Sequence, residues 1–183
     1  MNLLVFSDIH GSLPVAERIV ALAAQDKPDA VVILGDVLYH GPRNVPPEGY
    51  APAKAAAALA PLAGRIMAIK GNCDSEVDEM VLPFPLAAPC MWLFDGALRI
   101  MAVHGHLFGP HNLPPLTAGD VLLSGHTHVP TAHTSPEGIR LCNPGSLALP
   151  KEDSPPCYGR FDNGVFSVIR DDSGEVHLSL DCR

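Results

Sequence analysis

Apolar positions along this chain come in short runs, and most of the early runs end at a polar cluster. Residues 3–6 are fully apolar and close in a turn, the pattern of a strand buried on both faces. Asp8 and His10 follow at its C-terminal mouth. Ser12 offers an N-cap to a helix whose first turn tolerates Pro14, with Val15, Ile19 and Leu22 on one face at helical spacing. The unit then repeats. Residues 30–34 read as a second buried strand delivering Gly35-Asp36, residues 53–63 as a helix, and residues 65–70 as a third strand delivering Gly71-Asn72. Such β-α-β-α order predicts a largely parallel sheet. Asp74 and Ser75 read as the start of a helix through Val77 and Met80.

Beyond Pro83 helical periodicity fades. Segments 91–94, 98–103, 121–124, 139–142, 158–161, 165–169 and 176–180 read as strands, and Asp162-Asn163-Gly164 and Asp172-Ser173-Gly174 as hairpin turns, so the last part is expected to be an antiparallel meander. The simplest architecture is an α/β fold of two packed β-sheets flanked by helices. Residues 1–183 are read as a single domain, because no repeat of fixed period and no linker divides them. The Pro-rich stretches 41–52 and 150–156 read as ordered loops near the site.

Composition changes this picture little. With 183 residues, 47% of them hydrophobic, the chain can bury one substantial core. A formal charge of -8 disfavours non-specific binding to nucleic acid or to an anionic membrane, since both reward clustered Lys and Arg. The five cysteines, Cys73, Cys90, Cys142, Cys157 and Cys182, are odd in number and lack close pairs, which fits a reducing cytoplasm. No signal peptide and no membrane-spanning apolar stretch is read from the sequence, so a cytoplasmic location is expected.

The polar clusters carry the candidate chemistry. They are Asp8-Ile9-His10, Gly35-Asp36, Gly71-Asn72-Cys73-Asp74, His104-Gly105 and Gly125-His126-Thr127-His128. In extended chain Asp8 and His10 point the same way and can share one ion. Asp36, with two oxygens at a strand end, can bridge two ions ~3.5 to 4 Å apart. Asn72 can ligate through its amide oxygen or simply hold a turn. His104, His126 and His128 each follow a strand and lie near glycine. Carboxylates, imidazoles and an amide together suit divalent ions between hard and borderline, and a pair of them drives phosphate ester hydrolysis through a hydroxide they activate near neutral pH.

This order of clusters resembles the calcineurin-like metallophosphoesterase superfamily. The wider motifs Ser7-Asp8-Ile9-His10-Gly11-Ser12, Gly71-Asn72-Cys73-Asp74-Ser75-Glu76-Val77-Asp78, His104-Gly105-His106-Leu107-Phe108-Gly109-Pro110 and Asn143-Pro144-Gly145-Ser146, with the loop from Gly35 to Asn44, resemble its bacterial YfcE phosphodiesterase group. The resemblance implies that Asp8, His10, Asp36 and His128 hold one ion and Asp36, Asn72, His104 and His126 the other. It also implies a β-sandwich flanked by helices, and Mn²⁺ as the activating metal, with Zn²⁺, Fe²⁺ and Ni²⁺ as alternatives. Many members of the superfamily carry His, the usual proton donor to the leaving group, where this chain has Cys73. Cysteine is not an assured substitute, since its thiolate can ligate metal instead. Cys73 therefore reads either as a marker of diester specificity or as a packing residue. Arg43 can fork onto a phosphate or stay a solvated surface residue. His106 can pair with a ligand or with backbone behind the site.

The expectation is a metal-dependent phosphodiesterase acting on small substrates, with no nucleic acid or membrane partner and with homo-oligomers left open. Two rival readings stand beside it. One is a phosphomonoesterase or nucleotide pyrophosphatase on the same site. The other is a non-catalytic metal-fold scaffold, like the phosphoesterase-like subunit of membrane-sorting complexes.

Overall fold

The computed structural model describes residues 1–87 and 89–183. Strands β1 (Asn2–Phe6), β2 (Ala30–Ile33), β3 (Ile66–Ile69) and β4 (Leu86–Ala87) run parallel, linked through helices α1 (Leu13–Asp26), α2 (Pro52–Leu59) and α3 (Glu76–Val81). The meander β10 (Cys157–Asp162), β11 (Val165–Arg170) and β12 (Val176–Asp181) adds antiparallel to the free edge of β1. The first sheet thus has seven strands in the order β12-β11-β10-β1-β2-β3-β4. The sheet is mixed, because the parallel units and the predicted meander join edge to edge.

The second sheet has five strands in the order β5-β6-β7-β9-β8. They are β5 (Cys90–Asp95), β6 (Leu98–Val103), β7 (Val121–Leu123), β8 (Thr131–Thr134) and β9 (Arg140–Asn143). Two strands escaped the sequence reading. β4 is only two residues long, and β8 reads Thr-Ala-His-Thr, too polar to stand out. It is an edge strand, where polar residues are ordinary.

Alternation on β1 separates the two cores. Leu4 and Phe6 turn toward Ile19 and Leu22 of α1 and Leu59 of α2. Leu3 and Val5 turn toward Ile100 and Ala102 of β6 and Val121 and Leu123 of β7 in the second sheet. The architecture is therefore two packed sheets flanked by helices. The outer face of the second sheet, through Met101, Val103 and Leu122, is covered by Phe108, Leu113 and Leu116 from the segment between β6 and β7.

Two residues at helix starts, Ser12 and Asp74, differ from expectation. Ser12 occupies the N-cap of α1, but its hydroxyl donates to the Glu48 carbonyl rather than capping the helix. Ser75 does cap α3, in a capping box with Asp78. Asp74, read as part of that start, instead turns inward to hold the candidate site.

Candidate metal centre

The strands that deliver the polar clusters all end on one side of the two sheets. Backbone pairing continues past the strand ends: Asp8 N–H donates to the Gly35 carbonyl (3.1 Å), His10 N–H to that of Asp36 (2.9 Å), and Gly125 N–H to that of His104 (2.8 Å). Loops from different strands are thereby sewn together before any side chain is considered. Five of the seven candidate ligands, Asp8, His10, Asp36, His126 and His128, have φ between 50° and 66°. Left-handed backbone is uncommon outside glycine, costs about 1–3 kcal/mol per residue, and clusters at functional sites. Here it reverses the chain just after each strand.

Two glycines give the space. A Cβ on Gly71 would strike Asp36 Oδ1, and one on Gly125 would strike the Ser7 hydroxyl and crowd Asp8 Oδ2. Only a residue without a side chain lets these turns approach so closely.

Asp8 Oδ2 is fully used, accepting from the Ser7 hydroxyl (2.6 Å) and the His126 N–H (2.9 Å). Its Oδ1 is buried with no hydrogen-bond partner. That orphan oxygen lies 3.4 Å from His128 Nε2 and 3.7 Å from His10 Nε2, which are themselves 3.4 Å apart. The tautomers follow from the far side of each ring: His10 Nδ1 lies 2.7 Å from the Tyr39 carbonyl and His128 Nδ1 2.6 Å from the Leu149 carbonyl. A carbonyl only accepts, so each Nδ1 carries a proton, and each ring turns its Nε2 toward Asp8 as a ligating tautomer would. Three acceptors converge without a donor. Ligands about 2.1 Å from a shared ion stand about 3.0–3.5 Å apart, so the donor set fits a divalent cation.

The second group repeats this logic. His104 Nδ1 donates to the Leu34 carbonyl (2.6 Å), and its Nε2 lies 3.0 Å from Asn72 Oδ1, 3.3 Å from His126 Nδ1 and 3.4 Å from Asp36 Oδ1. Asp36 spans the two groups, since its other oxygen, Oδ2, lies 3.8 Å from His10 Nε2. The structure thus brings together all seven residues singled out in the sequence.

Electrostatics differ between the groups. Burial lowers His126 and His128 below the ordinary imidazole range, which keeps them neutral and able to ligate. Burial would lower His104 too, but its hydrogen bond to Asp36 and the charges of Asp8 and Asp36 outweigh this and raise it to about 9. For Asp36 burial pushes upward, yet His104, the Cys73 N–H and His10 hold it well below the usual carboxylate range. A proton on His104 and a cation between the ligands are therefore alternative ways to balance the same acceptors.

Cys73 stands at the edge of this site. Burial, then the nearby Asp36, pushes its thiol up to about 12. Such a group holds its proton too tightly to be an efficient acid at neutral pH. Cys73 lines a cleft of about 470 Å³ above the ligands, together with Asp36, Arg43, Asn44, His126 and Lys151. Arg43 is thus at the cleft. His106 is exposed, its ring 5.3 Å from that of His104 and 6.2 Å from that of His126.

Several supporting residues escaped the sequence reading. Asp74 accepts from the backbone N–H groups of Asp36, Val37 and Gly71 at 2.7–2.8 Å, tying the Asp36 turn to the Asn72 turn. Asn143 donates to the Gly125 carbonyl and to the Thr127 hydroxyl, and Ser146 donates to the Asp8 carbonyl. The Asn143-Pro144-Gly145-Ser146 motif was visible, but not its task of holding the His126 and Asp8 turns. Lys151, alone in a Pro-rich loop, carried no signal.

Residues 1–164 match the model of the calcineurin-like phosphoesterase superfamily domain. The chain belongs to the calcineurin-like phosphoesterase superfamily. Within that superfamily it is 53% identical over 169 residues to phosphodiesterase YfcE of Escherichia coli strain K12, covering 92% of this chain and 91% of the relative. The solved structure of YfcE, a phosphoesterase from E. coli, superposes with a TM-score of 0.96 at 49% identity over 100% of both chains. Vps29 of Chaetomium thermophilum has the same fold, with a TM-score of 0.61 at 16% identity over 99% of this chain and 98% of that one. A calcineurin-like phosphoesterase domain thus accounts for the two-sheet fold and for the order of the polar clusters.

Proposed function

We propose that this protein is a metal-dependent phosphodiesterase that hydrolyses small phosphodiesters at two divalent ions. The observation that carries the reading is the convergence of lone-pair donors: Asp8, His10 and His128 on one side, Asn72, His104 and His126 on the other, and Asp36 between them with one oxygen toward each. In this assignment Asp8, His10, Asp36 and His128 hold one ion, and Asp36, Asn72, His104 and His126 the other. When bound, the ions lower the pKa of water toward neutrality and neutralise the phosphoryl oxygens.

The chain's own residues do the rest. Asp36 fixes the distance between the halves. The carbonyls of Tyr39, Leu34 and Leu149 lock the imidazole tautomers. Arg43 and Lys151, cations on the cleft lining, draw in an anionic ester. Burial and the nearby Asp36 oppose ionisation of Cys73, so it is not assigned as the acid for the leaving group. Alcohols that are stable as anions therefore leave best. The 53% identity to a phosphodiesterase supports diesters over monoesters.

Mn²⁺ is the proposed metal, on the oxygen and imidazole donor set and the family resemblance. Residues 1–183 are proposed to act as one domain in the cytoplasm, where the five cysteines stay reduced. Polynucleotides are disfavoured by the net charge of -8. The rival phosphomonoesterase is distinguished by comparing bis-aryl with mono-aryl phosphate, and the scaffold by turnover in added Mn²⁺. In Asp8→Ala, Asp36→Asn and His128→Ala proteins we expect folded protein with bis-aryl phosphate hydrolysis reduced at least about 100-fold. Parental rates with both ions retained would defeat the assignment.

A further inference from the structure

A second cavity, of about 490 Å³, adjoins the phosphoester cleft along the β8–β9 edge of the second sheet. Its floor includes Leu141 and Asn143 of β9, opposite His133 and Thr131 of β8. Residues two apart on a strand share a face, so these four lie on one surface. Thr127, between the candidate ligands His126 and His128, lines both cavities. The loop after Ser146 divides them: Lys151 faces the cleft and its neighbour Glu152 faces the groove.

Apart from Asp36 on the cleft and the imidazoles of His111 and His133 on the groove, the charged residues lining the two cavities differ in sign. The cleft carries Arg43 and Lys151. Among the described residues, the carboxylates lining the groove are Glu137 and Glu152, and no Lys or Arg lines it. Leu113, Val129 and Leu141 supply its apolar wall.

We propose that this groove binds one alcohol arm of the phosphodiester, and that the arm is a short apolar chain ending in a cationic amine. The inference rests on the diesterase reading above. A diester has two organic arms, so one can leave while the other stays in the groove. With the phosphate in the cleft that Arg43 and Lys151 line, the Thr127 wall is the shared boundary across which an arm passes. Methylenes fit against Leu113, Val129 and Leu141, since such pockets gain affinity by burying apolar surface. An arm bearing a carboxylate or a further phosphate would meet Glu137 and Glu152 with like charge, while an amine is attracted to them.

Three aryl phosphodiesters that release the same phenol test this, with aminopentyl, pentyl or carboxypentyl as the second arm. Both glutamates are exposed, and exposed ion pairs are individually modest. The native protein should therefore show kcat/KM for the aminopentyl ester about three- to tenfold above the pentyl ester, with the carboxypentyl ester lowest. In Glu137→Gln/Glu152→Gln that ratio should fall to about one, and in Glu137→Lys/Glu152→Lys the carboxypentyl ester should become preferred. Equal kcat/KM for all three esters in the native protein, or a preference unmoved by either double variant, would overturn the groove assignment while leaving the diesterase reading intact. A native protein inert on all three, and on bis-aryl phosphate with Mn²⁺, would overturn the diesterase reading itself.

Discussion

Asp36 places one oxygen in each half of the site, and the chemistry of its neighbours follows from that position. Its hydrogen bond to His104, with the charges of Asp8 and Asp36, outweighs burial and raises that imidazole to about 9. Because the folded-state value lies above the ordinary 6.5, this pair stabilises the ion-free fold fully below pH 6.5 and loses that contribution as pH rises through about 9. Ligation requires neutral imidazole, so ion binding at pH 7.5 should release about one proton from His104, and apparent affinity should rise about tenfold per pH unit up to about pH 9. Calorimetry of Mn²⁺ binding in buffers of different ionisation enthalpy measures this proton. His126 and His128, kept neutral by burial, should add none at that pH. Cys73 belongs to the same scale. With its thiol pushed up to about 12, Cys73→His should supply the missing acid and raise turnover of esters with basic leaving groups by about 100-fold, with little gain on bis-aryl phosphate. Competitive rates on alkyl and aryl esters would reveal the selective gain.

At the scale of elements, the site is a set of strand ends held in register by the loops behind them. Asp74 joins the turns after β2 and β3 through three backbone N–H groups. Asp74→Ala strands those buried donors and should destabilise the fold by about 1–3 kcal/mol or more, read as a lower melting temperature in the metal-free protein. Asn143→Ala removes the tie to the Gly125 carbonyl and Thr127 and should weaken metal affinity about 10- to 100-fold. The candidate ligands were legible in the sequence because each follows a buried apolar strand, so periodicity places them at a strand mouth. The hidden parts are long-range. Asp74 looks like a helix start from its local sequence, and only the packing of β3 beside β2 brings it under Asp36. Lys151 reaches the cleft because the Ser146 hydroxyl binds the Asp8 carbonyl across 138 positions of chain. Strand β8 was missed because its polar edge has no apolar alternation to read.

For the whole molecule, the decisive fact is that two sheets end on one side and pool their loops. The first sheet supplies Asp8, His10, Asp36 and Asn72, and the second supplies His104, His126 and His128. Neither sheet alone supplies all seven candidate ligands: of the three converging groups, Asp8–His10–His128 and Asp36–His104–His126 draw on both sheets, while His10–Asp36–Cys73 comes from the first alone. Arg43 and Lys151 offset the overall acidity at the cleft, and cations held by these groups would offset it further, so binding of an anionic ester is expected to strengthen with metal. Titrating metal-stripped protein with Mn²⁺ while following bound metal and bis-aryl phosphate turnover in the same samples tests this most directly. The account predicts no turnover without metal and full activity only as the second ion per chain binds. Saturation at one ion, or turnover undiminished by chelation, would contradict it.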